Sequence, residues 1–133
     1  MRPTWVEVDT GSIAKNIERV RATIPGKTQI MAVVKADGYG HGAVPVAIAA
    51  LKSGAAFLGV ALVEEGIALR RAGIVAPILF MEALFPWQAP DLVRYGLTAT
   101  VASYESADVL SESAALLGRK AKVHIKVDTG MGR

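Results

Sequence analysis

Five short apolar runs recur along this chain, each pair separated by a helix-length stretch, and that alternation limits the fold more than any other feature. The runs begin near residues 30, 57, 77, 98 and 122. The first, residues 29–34 (QIMAVV), is nearly all apolar, as expected of a parallel strand covered on both faces. Helical patterns fill the gaps at 44–53, 64–72 and 91–95, and Ser103 caps another whose apolar stripe is Ala107, Leu110, Ala114 and Leu117. Upstream, Ile13, Ile17, Val20 and Ile24 mark an amphipathic helix over residues 9–24, capped by Asp9 or Thr10 and stopped by Pro25-Gly26. Residues 5–8 read as a short strand.

Strand–helix alternation of this kind specifies an α/β fold with a parallel sheet. Two architectures share it: a complete doubly wound sheet, and the opening part of a (β/α)8 barrel, which takes about 250 residues in full. With 133 residues, the chain is about half of such a barrel. It ends on a strand and a loop with no helix to cover them. No internal repeat or linker divides it.

Composition removes several function classes. Hydrophobic residues make up 52% and charged residues 20%, a globular balance. There is no cysteine, which rules out disulfides and thiolate metal sites and fits a reducing cytoplasm. The apolar runs fall well short of the roughly 20 residues of a membrane-spanning helix, and no signal peptide is recognisable. A net charge of +3 with only 6% aromatics does not suit a nucleic-acid surface. The only histidines are His41 and His124, and no carboxylate cluster has ligand spacing, so no catalytic metal is expected.

Chemistry concentrates where two strands end. In "AVVKADGYGHG", residues 32–42, Lys35 stands at the carboxyl end of a buried strand, where parallel α/β folds bind ligands. An amine partly withdrawn from water is easier to neutralise, and a neutral amine attacks carbonyls, the attachment used by pyridoxal phosphate. The same lysine also fits a strand simply surfacing into solvent. Gly38, Gly40 and Gly42 let the backbone approach a ligand, and Tyr39 offers either a hydroxyl to a phosphate or an aromatic lid. His41 reads as a loop residue at a helix start. The letters Gly38-x-Gly40-x-x-Ala43, with Glu64 after the next strand, also match a dinucleotide fingerprint. That fingerprint normally follows its strand directly, and here Asp37 would bring negative charge to the pyrophosphate.

The second candidate is "HIKVDTGMGR", residues 124–133. Val123, Ile125 and Val127 alternate with Lys122, His124 and Lys126. In a barrel the first set packs on helices, and Lys126 enters the interior. The loop then carries Arg133 over the same cavity, suited to a carboxylate or phenolate oxygen. For an isolated domain, an edge strand with a solvated polar face is the better explanation of the pattern.

Together, "WVEVDTGSIAKNI", "AVVKADGYGHGA" and "VHIKVDTGMGR" resemble the amino-terminal part of alanine racemases in content, order and spacing. The resemblance covers the whole chain and about a third of the family's length. It implies that residues 1–133 are the first part of a (β/α)8 TIM barrel, interrupted before closure, with the remaining strands and a carboxyl-terminal β domain absent. It further implies a cytoplasmic homodimer that racemises L- and D-alanine with pyridoxal 5'-phosphate, supplying D-alanine for peptidoglycan. Lys35 matches the lysine that attaches the cofactor and acts as one racemisation base, and Tyr39 matches a tyrosine on its phosphate. Lys126 matches a lysine carbamylated in many members. Arg133 matches the arginine that this lysine holds toward the cofactor's phenolic oxygen and the substrate carboxylate. The second base, a tyrosine from the partner's carboxyl-terminal domain, has no counterpart in Tyr95 or Tyr104. The 133-residue chain alone is therefore expected to be inactive. The other readings are a dinucleotide-binding oxidoreductase domain and a non-catalytic, cofactor-binding half-barrel.

Overall fold

The computed structural model describes residues 3–132. Helix α1 (Thr10–Thr23) opens at Asp9, whose carboxylate accepts the N–H groups of Gly11 at 2.8 Å and Ser12 at 3.2 Å. Ser12 also donates its hydroxyl to Asp9, and this bond leads the interactions that hold the Asp9 carboxyl below its ordinary range. Strand β1 (Ile30–Val33) follows, then one tight turn, α2 (Lys35–Tyr39), and helix α3 (Ala43–Lys52). The remainder is β2 (Ala55–Val60), α4 (Val63–Arg71), β3 (Ile78–Phe80), a 3-10 turn at Pro86–Gln88, α5 (Ala89–Arg94), β4 (Thr98–Val101), α6 (Tyr104–Leu116) and β5 (Lys122–Ile125). Ser103 caps α6 as its sequence foretold, through Ser106. Residues 4–9 run without secondary structure, so the strand expected at 5–8 has no sheet partner among the described residues.

All four strand pairs are parallel, and the five strands lie in sequential order, β1-β2-β3-β4-β5. A doubly wound sheet reverses its strand order part-way, whereas a barrel adds each strand beside the last. The sheet also curls. Phe57 on β2 and His124 on β5 have ring centroids only 5.8 Å apart, although β3 and β4 lie between their strands. In a flat sheet those backbones would stand about 14 Å apart, so the two rings meet across a concave face. The fold is five strands of a (β/α)8 barrel.

The convex face holds the core. Val34, Leu58, Val60, Ile78, Phe80 and Ala99 are essentially sealed beneath Ala47, Leu69, Leu92 and Leu110 of the helices. A smaller cluster, Ile30, Ala50 and Ala55, takes Ile17 and Ile24 from α1 and its end. Coverage thins at β5, where Val123, Ile125 and Val127 are 43%, 78% and 72% exposed. These are the residues the alternation assigned to the helix-facing side. Only α6 borders them: Val123 lines a cavity with Leu110 and Ala114, and Ile125 one with Tyr104 and Ala107.

At the amino-terminal end of the strands, arginines tie successive units through backbone carbonyls. Arg70 donates to Ile74 and Ala76 before β3, both at 2.7 Å, and to Tyr95 and Gly96 before β4 at 3.0 and 3.2 Å. Burial pulls its guanidinium below the usual value. Five donors in a planar fork let it satisfy four carbonyls at once, which a lysine cannot do. No helix among the described residues is long and apolar enough to cross a membrane.

Candidate active site

The candidate residues Lys35 and Lys126 lie at the carboxyl ends of the strands. Lys35 lies two residues beyond the last residue of β1, after Val34, and Lys126 follows β5 with its N–H bonded to the Val101 carbonyl at 2.8 Å. Their side chains line one cavity of about 400 Å³, together with Met81, Glu82 and Ala83. On a flat sheet β1 and β5 would be about 19 Å apart; curvature brings the two lysines to the border of a common space. The volume lies in the range of small-molecule sites.

The turn that delivers Lys35 is left-handed. Ala36, Asp37, Gly38 and Tyr39 have φ of 49°, 52°, 62° and 55°. Left-handed helical backbone costs L-residues roughly 1–2 kcal/mol each, less for aspartate, so Ala36 and Tyr39 carry real strain. It is held by a dense set of bonds. Gly38 N–H reaches Val34 at 2.9 Å, Gly40 reaches Ala36 at 3.1 Å, and Gly42 reaches Asp37 at 2.8 Å. His41 Nδ1 lies 3.1 Å from the Gly38 carbonyl and 3.0 Å from that of Tyr39, so this nitrogen carries the proton and donates.

Two carboxylates complete the turn. Asp37 accepts the Ala43 N–H at 2.8 Å and so caps α3. Glu65, in the first turn of α4, accepts from Ala36 at 2.6 Å through Oε1, and from Ala61 and Leu62 at 2.9 and 3.0 Å through Oε2. It thereby joins the loop after β1 to the loop after β2. Sequence reasoning missed Glu65; the signal available was an acid at the third position of a helix, where capping-box residues sit. The neighbouring Glu64, considered for a ribose, is exposed.

Gly38 is buried, and a Cβ there would meet Val46 Cγ2 at 3.1 Å and Ala43 N at 3.3 Å. Its small size serves the packing of the turn on α3. The ligand approach expected at this glycine is thus replaced by an approach of one backbone to another. The dinucleotide reading also loses its ground: the α3 amide that would face a pyrophosphate is taken by Asp37, and the sheet has no reversal of strand order.

Tyr39 is 60% exposed and stands outside the cavity shared by the lysines. Arg133 lies outside the described residues. The loop leading to it is ordered by Asp128, whose carboxylate accepts from Gly130 at 2.9 Å and from Gly132 at 2.9 and 3.2 Å. These N–H donors, Gly130 first, hold the Asp128 carboxyl below its ordinary range. Asp128 and Lys126 also line a neighbouring cavity of about 430 Å³ with Thr100, Ser103 and Ser106. Among the described residues, no group of histidines and acids could hold a metal ion.

Comparison with known proteins gives one consistent result. A family model described as "Alanine racemase, N-terminal domain" matches residues 8–133. The alanine racemase of Symbiobacterium thermophilum is 52% identical over 133 residues, an alignment spanning 100% of this chain and 35% of that protein. Alanine racemase 1 of Oceanobacillus iheyensis is 46% identical over 132 residues, again with 35% of its length covered. Among solved structures, alanine racemase from Clostridium difficile superimposes with a TM-score of 0.95 at 39% identity, covering 100% of this chain and 35% of that one. The Bacillus anthracis enzyme with bound L-Ala-P gives 0.89 at 41% identity, covering 100% of this chain and 34% of its own. The chain spans about 35% of the length of the curated relatives it matches.

Proposed function

The chain belongs to the alanine racemase N-terminal domain family, and we propose that the complete protein interconverts L- and D-alanine with pyridoxal 5'-phosphate attached to Lys35. One observation carries this reading: Lys35 and Lys126, 91 positions apart by subtraction of their numbers, share one cavity at the carboxyl end of a curled parallel sheet. The residues fit the group. An amine at the end of a rigid strand suits condensation with an aldehyde, and the space beside it is of ligand size.

When bound, pyridoxal phosphate supplies a conjugated ring that draws electron density from the substrate's Cα, making its proton removable. The protein's task is then to position groups and move that proton. Lys35 would hold the cofactor through its amine and, when that amine is free, would take or return the Cα proton on its own face. Tyr39 gives its hydroxyl to the phosphate. Lys126, in carbamylated form, orients Arg133, whose guanidinium grips the alanine carboxylate as a fork. Proton exchange on the opposite face needs a second base, and in our reading a partner subunit supplies it in a homodimer.

Residues 1–133 are in this reading the opening part of the barrel, with later strands and a carboxyl-terminal β domain completing the protein. Five strands leave two open edges, and the apolar side chains of Ile125 and Val127 await the next helix. The segment alone does not racemise. The product, D-alanine, serves cytoplasmic supply of cell-wall peptidoglycan. The test is alanine racemisation by the complete protein, with and without pyridoxal phosphate. Turnover that requires the cofactor and is lost in Lys35→Ala supports the reading; unchanged turnover in Lys35→Ala refutes it.

A further inference from the structure

We propose that Glu65 is a positioning residue for Lys35: its carboxylate locks the left-handed turn that aims the amine into the cavity. This inference rests on the assignment of Lys35 as the cofactor anchor and deepens it. Glu65 touches neither lysine in the hydrogen-bond network. It acts through backbone, accepting the N–H of Ala36, the residue next to Lys35, at 2.6 Å. Its second oxygen accepts from Ala61 and Leu62 at the end of β2. One side chain on α4 thus fixes the exits of two strands relative to each other.

The need for such a lock follows from the backbone. Ala36 has φ of 49°, a conformation that alanine avoids, and it is the first left-handed residue after the lysine. Released from Glu65, the Ala36 N–H would lose a charge-assisted partner. The turn would then gain by returning toward ordinary φ, and the Lys35 Cα would swing with it. The strand before the turn is held independently, since Val34 N–H is bonded to the Gly59 carbonyl at 2.9 Å. Motion therefore concentrates at residues 35–36. A competent orientation populated only 1–10% of the time would weaken apparent cofactor affinity about 10- to 100-fold.

Alanine 36 also provides the discriminating control. Glycine enters left-handed backbone without penalty, so Ala36→Gly removes the tendency to unwind. If Glu65 acts by restraining strain, Ala36→Gly restores affinity in the Glu65→Ala background. If Glu65 acts through its negative charge, it does not. Glu65→Gln retains one acceptor oxygen, serving either Ala36 or the Ala61/Leu62 pair, and gives an intermediate loss.

The experiment uses the complete apoprotein, titrated with pyridoxal phosphate and trapped with borohydride, with the Lys35 adduct quantified by peptide mass. Amide exchange of Ala36, Ala61 and Leu62 is measured in parallel without cofactor. Expected for Glu65→Ala are faster exchange at those amides and a half-saturation raised at least about tenfold, recovered to within about threefold by Ala36→Gly. Unchanged half-saturation with faster exchange would reduce Glu65 to a structural clamp and overturn the proposal. Loss that Ala36→Gly fails to recover would overturn it too, as would unchanged exchange. A wild-type protein that forms its adduct elsewhere would instead refute the anchor assignment. The exchange data still report whether the lock exists, so the two failures are distinct.

Discussion

Replacing Gly38 by alanine isolates the cost of the left-handed turn. Gly38 has φ of 62°, and an added Cβ would sit 3.1 Å from Val46 Cγ2, 3.3 Å from Ala43 N and 3.4 Å from Ala43 Cα. The conformational penalty is roughly 1–2 kcal/mol. The contact adds about 1–3 kcal/mol of overpacking, because Ala43 is pinned backbone. Asp37 holds it at 2.8 Å, so α3 cannot retreat without losing its cap. The sum is about 2–5 kcal/mol, at least about 30-fold in a local opening equilibrium. Gly40→Ala is the matched control: φ is 83°, but nothing lies within 4 Å of the added carbon. It should cost only the conformational part. The assay is amide exchange at Gly40 and Gly42 in the complete protein, since these N–H groups close the turn onto Ala36 and Asp37. Gly38→Ala should accelerate both by at least about fivefold more than its counterpart at residue 40 does. Equal effects of the two substitutions would refute the packing argument.

Other consequences follow from the same geometry. Arg70→Ala removes four charge-assisted bonds to carbonyls of two units and should destabilise the domain by about 2–4 kcal/mol in thermal or denaturant unfolding. Arg70→Lys should recover less than half, because an ammonium cannot reproduce the fork. Asp128 has a depressed folded-state pKa, so its contribution to loop order is present above the unfolded carboxylate value and lost as pH falls through the folded one. Exchange protection of Gly130 and Gly132 should therefore fall away below about pH 4. In Asp128→Asn that pH dependence should vanish.

The alternation of strands and helices was legible because it rests on periodicity. Buried residues such as Leu58, Val60, Ile78 and Phe80 cannot be polar without cost, so the sequence must record them. Lys35 was legible for a related reason: a charge ending an apolar run marks the strand's exit. The first turn after it was not. Ala36 and Tyr39 have no local preference for left-handed backbone and Asp37 only a weak one, so the turn depends on its backbone bonds and on Glu65 from α4. Glu65 and Arg70 were hidden because their partners are backbone atoms, and backbone carries no letter. The second strand illustrates a smaller difference. The apolar run placed from about residue 57 is strand at Ala55–Val60, and it ends there because Ala61 and Leu62 are turned toward Glu65 and Val63 opens α4. Sequential strand order, which separates barrel from doubly wound sheet, is a property of pairing that no single segment expresses.

The identity of the anchored amine is the most direct measurement. The complete protein is equilibrated with pyridoxal phosphate, reduced with borohydride, digested and mapped. One phosphopyridoxyl group per chain on the peptide containing Lys35, absent from Lys35→Ala, is the expected result. Modification concentrated on Lys126 or another lysine, with Lys35 unmodified, would contradict it.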